Sequence, residues 1–247
     1  MRSRAGPSPQ LHNRLLAALP PASRDVLWPD LEPISLPASS MLSASGEAIT
    51  HAYFIEDGMV SLVQPLSDGA AIEIAVVGRE GFVGFPLLLG SQTAASDAKV
   101  QFKGMALRIA AKPLLDAFES SPQIRALLLR YAHALHIQVA QTAACNGRHN
   151  VRQRLARWLL AARDRSDSDE LTVSHELLST ALGLRRAGVT VALGELRSLG
   201  MIAQAVFDFV GGFFLGDFLQ PARLRPPFGR GQHRLNRNPR ANVNHVS

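Results

Sequence analysis

Between about residues 31 and 110 the chain is written as short apolar runs broken by turn-forming residues: PISLP, HAYFIEDG, MVSLVQPLSDG, AAIEIAVVGREG, DAKVQFKG and MALRIA. AIEIAVV alternates apolar and polar positions, the period of a half-buried strand. Asp57-Gly58 and Asp68-Gly69 are pairs that tight turns select, because glycine accepts positive φ. Strand-like runs at this short spacing predict an antiparallel sandwich or barrel. Ahead of them, LHNRLLAALP (11–20) patterns as a short amphipathic helix ended by Pro20-Pro21, after a frayed tail.

The period changes at Ser120. In SSPQIRALLLRYAHALHIQVAQTAACNG (120–147), Ser121 suits an N-cap and Pro122 the first helical position. Ile124, Leu128, Tyr131, Leu135, Gln138 and Thr142 follow at alternating steps of four and three, the seam of a coiled coil, with Leu127 and Ile137 beside it. Such a helix packs either on its own β-domain or on a second copy; its length and its apolar character beyond one face favour the second copy. Asn146-Gly147 ends or hinges it. HNVRQRLARWLLAARDR (149–165) is again amphipathic, with Val151, Leu155, Trp158, Leu159 and Ala162 inward and Arg152, Arg154, Arg157 and Arg163 outward. After the polar loop SDSDE, LTVS (171–174) predicts a short strand, and Ser174 can cap the helix HELLSTAL (175–182). Gly183 breaks that helix, and residues 185–198 restart as another.

Composition narrows the class. The chain has 247 residues, 47% hydrophobic and 19% charged, which is globular. No run approaches the ~18 apolar residues of a membrane span, and MRSRAGPSPQ lacks the apolar core of a secretory signal, so a soluble cytoplasmic protein is expected. Cys145 is the only cysteine, which excludes an internal disulfide and a cluster held by four cysteines of one chain. The net charge of +6 is unevenly spread. Residues 1–146 carry 11 Lys and Arg against 12 Asp and Glu, residues 147–202 carry 9 against 6, and residues 203–247 carry 6 against 2. The basic excess begins with the arginine-rich helix, a modest pointer to a polyanion.

Two short helices joined by a glycine-containing turn are the pattern of a helix-turn-helix. Leu178, Leu182, Val189, Leu193 and Leu196 would fill the angle between them, and Ser179 is small enough to let them approach. The second helix then presents Arg185, Arg186 and Thr190 outward near its start. Two cations at the positive end of a helix dipole are unfavourable unless an anion sits opposite. Guanine edges and phosphates both accept bidentate bonds from arginine. An ordinary pair of packed helices with solvated arginines would share the spacing.

The order of parts, and above all GREGFVGFPLLLG (78–90), RHNVRQRLARWLLAARDR (148–165) and LTVSHELLSTALGLRRAGVTVALGELRSLGMI (171–202), resembles the Crp/Fnr family of bacterial transcription regulators over roughly residues 15–202. The resemblance implies an α+β fold: an N-terminal β-sandwich or jelly roll of the cyclic-nucleotide-binding type, a long dimerisation helix, and a C-terminal helix-turn-helix domain. The expected divisions are a flexible tail 1–14, a sensor domain 15–119, a dimerisation helix 120–146, a DNA-binding domain 147–202 and an atypical tail 203–247. It implies a homodimer on double-stranded DNA, with RNA polymerase as a further partner, no membrane and no enzymatic role. Arg186 falls at the family's guanine-reading arginine and Thr190 beside it, while Ser174, His175 and Arg185 fall at phosphate-contacting positions.

The departures matter as much. Where the family's prototype reads DNA with Arg-Glu-Thr-Val-x-Arg, this chain has Arg186-Ala187-Gly188-Val189-Thr190-Val191, so a different operator is expected. Cyclic-nucleotide binders of the family place Gly-Glu on the ribose and Arg-Ser on the cyclic phosphate; here Gly84-Phe85 and, approximately, Ala95-Ser96 stand there. Cyclic AMP is therefore not expected, the effector is left open, and no cofactor is assigned. His133, His136, Cys145 and His149 flank the end of the long helix, yet read as surface histidines and a buried thiol rather than a haem or zinc site. After Ile202 the family's β-hairpin wing is replaced by VFDFVGGFFLGDFL and an Arg/Pro/Asn-rich remainder. Either the coding frame changes near residue 203 or a basic arm adds phosphate contacts; the first is favoured because the patterning stops. An altered C-terminus leaves a second reading, a ligand-binding or scaffolding module that no longer reads DNA.

Overall fold

A computed structural model of the chain describes residues 11–203. Of the expected tails 1–14 and 203–247, residues 1–10 and 204–247 lie outside the described residues.

Six antiparallel strands form one strongly bent sheet: β1 (Glu32–Leu36), β2 (Met41–Ser43), β3 (His51–Pro65), β4 (Ala71–Val77), β5 (Phe82–Val83) and β6 (Asp97–Ala110). The hydrogen-bonded order is β1-β6-β3-β4, with β2 added to β6 and β5 to β3. Two predicted breaks are absent. HAYFIEDG and MVSLVQP are one strand of 15 residues, and DAKVQFKG and MALRIA one of 14. Asp57-Gly58 is therefore not a hairpin turn but a bulge, where the β3–β6 register shifts on both sides of Asp57. Gly58 has φ +86°, and a Cβ there would lie 2.5 Å from the Phe102 carbonyl oxygen. Gly104 faces it, where a Cβ would stand 2.1 Å from the Asp57 carbonyl oxygen. Both strands bend where neither can carry a side chain. Asp68-Gly69 does turn as expected: Asp68 Oδ1 accepts from the Ala70 N–H at 2.9 Å, and Leu66 N–H donates to the Ala70 carbonyl at 2.8 Å.

The helix expected within 11–20 is α1 (Arg14–Ala18), ended ahead of Pro20-Pro21; a second helix, α2 (Pro21–Leu27), follows at once, because a proline that ends one helix is well placed to open the next. Residues 11–14, expected within a flexible tail, are held. Buried Asn13 accepts from Leu15 N–H and Leu16 N–H and donates to the Ile55 and Gly81 carbonyls at 2.9 and 2.8 Å.

After α3 (Ala111–Ser120), α4 runs from Pro122 to Arg148 with Ser121 as its cap. Its seam faces inward: Ile124, Leu128, Tyr131, Leu135 and Thr142 are buried against the sheet of the same chain rather than a second copy. Phe82 explains the choice, since Tyr131 packs its ring 5.1 Å away and donates its hydroxyl to the Phe82 carbonyl at 3.0 Å. The opposite face of α4 leaves Leu129 40% and Ile137 55% exposed. Gly147 does not end the helix; the break comes two residues later, where Asn150 caps α5 (Val151–Arg163) in a reciprocal box with Gln153.

α5, α6 (His175–Leu182) and α7 (Arg186–Ser198) pack around Leu155, Trp158, Leu178, Leu182, Val189, Leu193 and Leu196. Met59 of β3 and Val76 of β4 join this same core. LTVS forms no strand; among the described residues nothing pairs with it. No helix of the described residues is long and apolar enough to cross a membrane.

Candidate nucleic-acid interface

The turn between α6 and α7 rests on Gly183, at φ +60°, whose N–H closes α6 on the Ser179 and Thr180 carbonyls. Leu184 N–H then donates to the Ser179 carbonyl at 2.9 Å. Ser179 turns its hydroxyl back on its own helix, donating to the His175 carbonyl at 2.6 Å. The Arg154 guanidinium of α5 donates to the Leu182 carbonyl, fixing the end of α6. All five predicted wedge residues, Leu178, Leu182, Val189, Leu193 and Leu196, are buried.

These constraints bring the starts of α6 and α7 onto one surface. Ser174 caps α6, its Oγ accepting from Leu177 N–H at 3.1 Å. His175 follows, with Nε2 3.2 Å from Thr190 Oγ1. Thr190 also donates to the Arg186 carbonyl at 3.1 Å. Arg185 is exposed at the N-cap of α7, and Arg186 is its first helical residue. Ser174, His175, Arg186 and Thr190 are thus gathered within one turn of each helix, with Arg185 at the edge.

Their electrostatics are unusual for a helix start. α7 has no side-chain cap and no acidic residue in its first turn. The positive end of the dipole therefore meets two arginines. The carboxylate beside them comes from α6: Glu176 Oε2 lies 3.4 Å from the Arg186 guanidinium, with the two side chains 76% and 71% exposed. So exposed a pair is weak in water, and the guanidinium stays available to a stronger acceptor. Sequence reasoning missed Glu176, because an acidic residue in a first helical turn reads as dipole compensation.

The other predicted positions sit elsewhere. Gly84, at φ +108°, opens a short 3-10 turn over Phe85–Leu89, and the half-buried Phe85 packs against the sheet core. Cys145 is buried and accepts from Gln141 Nε2 at 3.2 Å, while His133, His136 and His149 are exposed. Among the described residues no three His, Cys, Asp or Glu side chains are grouped to hold a metal.

Comparison with known proteins locates both parts. Residues 33–121 match the cyclic nucleotide-binding domain, and residues 153–206 match the Crp-like helix-turn-helix domain. The transcriptional regulator LdrP of Thermus thermophilus is 30% identical over 174 residues, spanning 65% of this chain and 82% of that protein. Among solved structures, the c-di-GMP-responsive global regulator CLP of Xanthomonas campestris aligns with a TM-score of 0.63 at 16% identity, covering 83% of this chain and 99% of that one. FixK2 of Bradyrhizobium japonicum aligns with a TM-score of 0.64 at 18% identity, covering 79% and 93%.

Proposed function

This chain belongs to the Crp/Fnr family of DNA-binding transcription regulators, and from that premise we propose that it reads an inverted-repeat operator as a homodimer, through the start of α7. The observation that carries the reading is the uncapped, arginine-bearing N-terminus of α7, exposed on a helix whose far side is buried. Arg186 and Thr190 read base edges in the major groove; Ser174, His175 and Arg185 hold the flanking phosphates. Residues 15–119 act as the sensor and 147–202 as the DNA-binding domain, and the protein works in the cytoplasm, with RNA polymerase as a further partner. The second copy packs on the outer face of α4, where Ala126, Leu129, His133, Ile137, Ala140 and Ala144 form one exposed stripe opposite the buried seam. That stripe replaces the seam expected to pair. Cyclic AMP is not its effector, since Phe85 supplies no acceptor for a ribose and Ala95-Ser96 no countercharge for a phosphate.

The test is selection of bound sequences from a randomised duplex pool by the full-length protein at two salt concentrations. An enriched inverted repeat with half-sites about one helical turn apart supports the reading. Arg186→Ala should then cost about 1–3 kcal/mol at one base pair, and Arg185→Ala should weaken all sequences alike and flatten the salt dependence. Binding that stays salt-sensitive and indifferent to sequence overturns it and favours a module that has lost readout.

A further inference from the structure

Glu73 stands on β4 with its side chain on the outer face of the sheet, yet it is only 6% exposed. Two partners from different elements hold its carboxyl. Trp158 of α5 donates its indole N–H to Oε1 at 2.9 Å, and Ser61 of β3 donates to Oε2 at 2.5 Å. The charged groups that face it are Arg157 and Arg165, both from the α5 side. Gln138 and Thr142 of α4 complete the surround, lining with Glu73, Arg157 and Trp158 a cavity of about 20 Å³, space for one water. Arg157 Nε is buried there without a hydrogen-bond partner. Sheet, long helix and DNA-binding unit therefore meet at one carboxyl group, and α5 cannot leave the sheet without breaking the Trp158–Glu73 bond. Two ion pairs flank the junction, Arg165 with Glu80 and Arg79 with Asp167, each at 2.5 Å.

We propose that Glu73 is a proton-operated latch between the sensor sheet and the DNA-binding unit, closed on Trp158 while its carboxyl carries a proton and loosened when it is ionised. The geometry serves the protonated form: Oε1 takes the indole N–H, the Ser61 hydroxyl lies beside Oε2, and no charge is kept from water. The ionised form keeps both bonds and has Arg157 and Arg165 nearby, but leaves a charge buried away from bulk water. Burial pushes the Glu73 carboxyl up from 4.5 to about 7, against the hydrogen bonds from Ser61 and Trp158 and the nearby charges of Arg157 and Arg165, which pull it down. Once α5 lifts away, the carboxyl meets water and its ordinary value returns. The docked arrangement thus holds an extra proton between about 4.5 and about 7. Docking is strongest below that window and is lost as pH rises through it. The latch stands apart from DNA; its consequence for operator binding rests on the function proposed above.

The experiment uses the full chain with Trp28→Phe, so that Trp158 is the sole indole, and follows its emission from pH 5.5 to 8.5. A red shift that grows as pH rises and levels off just above pH 7 is expected, with the docking equilibrium falling about tenfold between pH 6 and pH 8. Glu73→Gln keeps a carbonyl for the indole and has no proton to lose, so its trace should be flat with the far-UV dichroism unchanged. Should that variant fail to fold, Ser61→Ala serves instead: it removes a bond that favours the ionised form, and the midpoint should rise. A flat trace in the Glu73 protein, a transition that survives Glu73→Gln, or a midpoint indifferent to Ser61→Ala overturns the latch. Operator selection at pH 6 and pH 8 separates the two ideas, since a fluorescence transition without sequence-selective binding at either pH keeps the latch and removes the DNA reading.

Discussion

The core beneath the sheet and the core among α5, α6 and α7 bury their leucines equally well, but only the first closes on itself. Phe54, Phe82, Ile109, Leu114 and Leu128 are covered by strands and helices that precede the end of α4. The helical core is completed from outside, by Met59 and Val76 of the sheet. α7 adds little of its own, because Gly188 and Gly194 each forgo about 1 kcal/mol of helix propensity relative to alanine. A small unit that borrows its lid from a larger one has a position as well as a stability set by that neighbour.

Three substitutions probe this asymmetry. Gly104→Ala strikes the self-contained core, since the new Cβ would meet the Asp57 carbonyl oxygen at 2.1 Å. A loss above about 3 kcal/mol is expected, felt by the whole chain in a single urea transition. Met59→Ala removes the borrowed lid of the helical core. It should cost about 2–3 kcal/mol and split the melt, with amide protection lost first across α5–α7 and retained in β3 and β6. A melt that stays single, with protection lost evenly, would mean that the two cores are one. Gly194→Ala points the other way. Nothing stands within 4 Å of its missing Cβ, so a gain of about 1 kcal/mol is expected, confined to the first transition, that of α5–α7, in the Met59→Ala background.

Local chemistry was read correctly wherever one segment decides the outcome. Ser121, Ser174 and Gly183 cap or end helices where their spacing placed them, and the α6–α7 wedge filled as expected. What failed needed a partner distant in sequence. Asp57-Gly58 suits a turn or a bulge equally, and only Gly104, across the strand pair, decides between them. The α4 seam has the right period for either a sheet or a second helix; Phe82 and Val76, which it meets at Tyr131 and Gln138, settle which. LTVS has strand composition and no neighbour. In AIEIAVV, Glu73 reads as the solvent-facing half of an alternation, and nothing nearby announces that Trp158 will cover it. The candidate reading surface was legible because its residues lie within 17 positions of one another, from Ser174 to Thr190.

α4 has one further property, which follows from its length. Its 27 residues span about 40 Å as a straight rod. A tilt of about 5° about the Ser121 end moves Tyr131, about 15 Å along, by about 1.3 Å and the Arg148 end by about 3.5 Å. That sweep is close to the rise of one base pair in duplex DNA, about 3.4 Å. The helix is thus a mechanical arm whose gain is set by geometry alone: a displacement at Tyr131 is magnified about threefold at its Arg148 end.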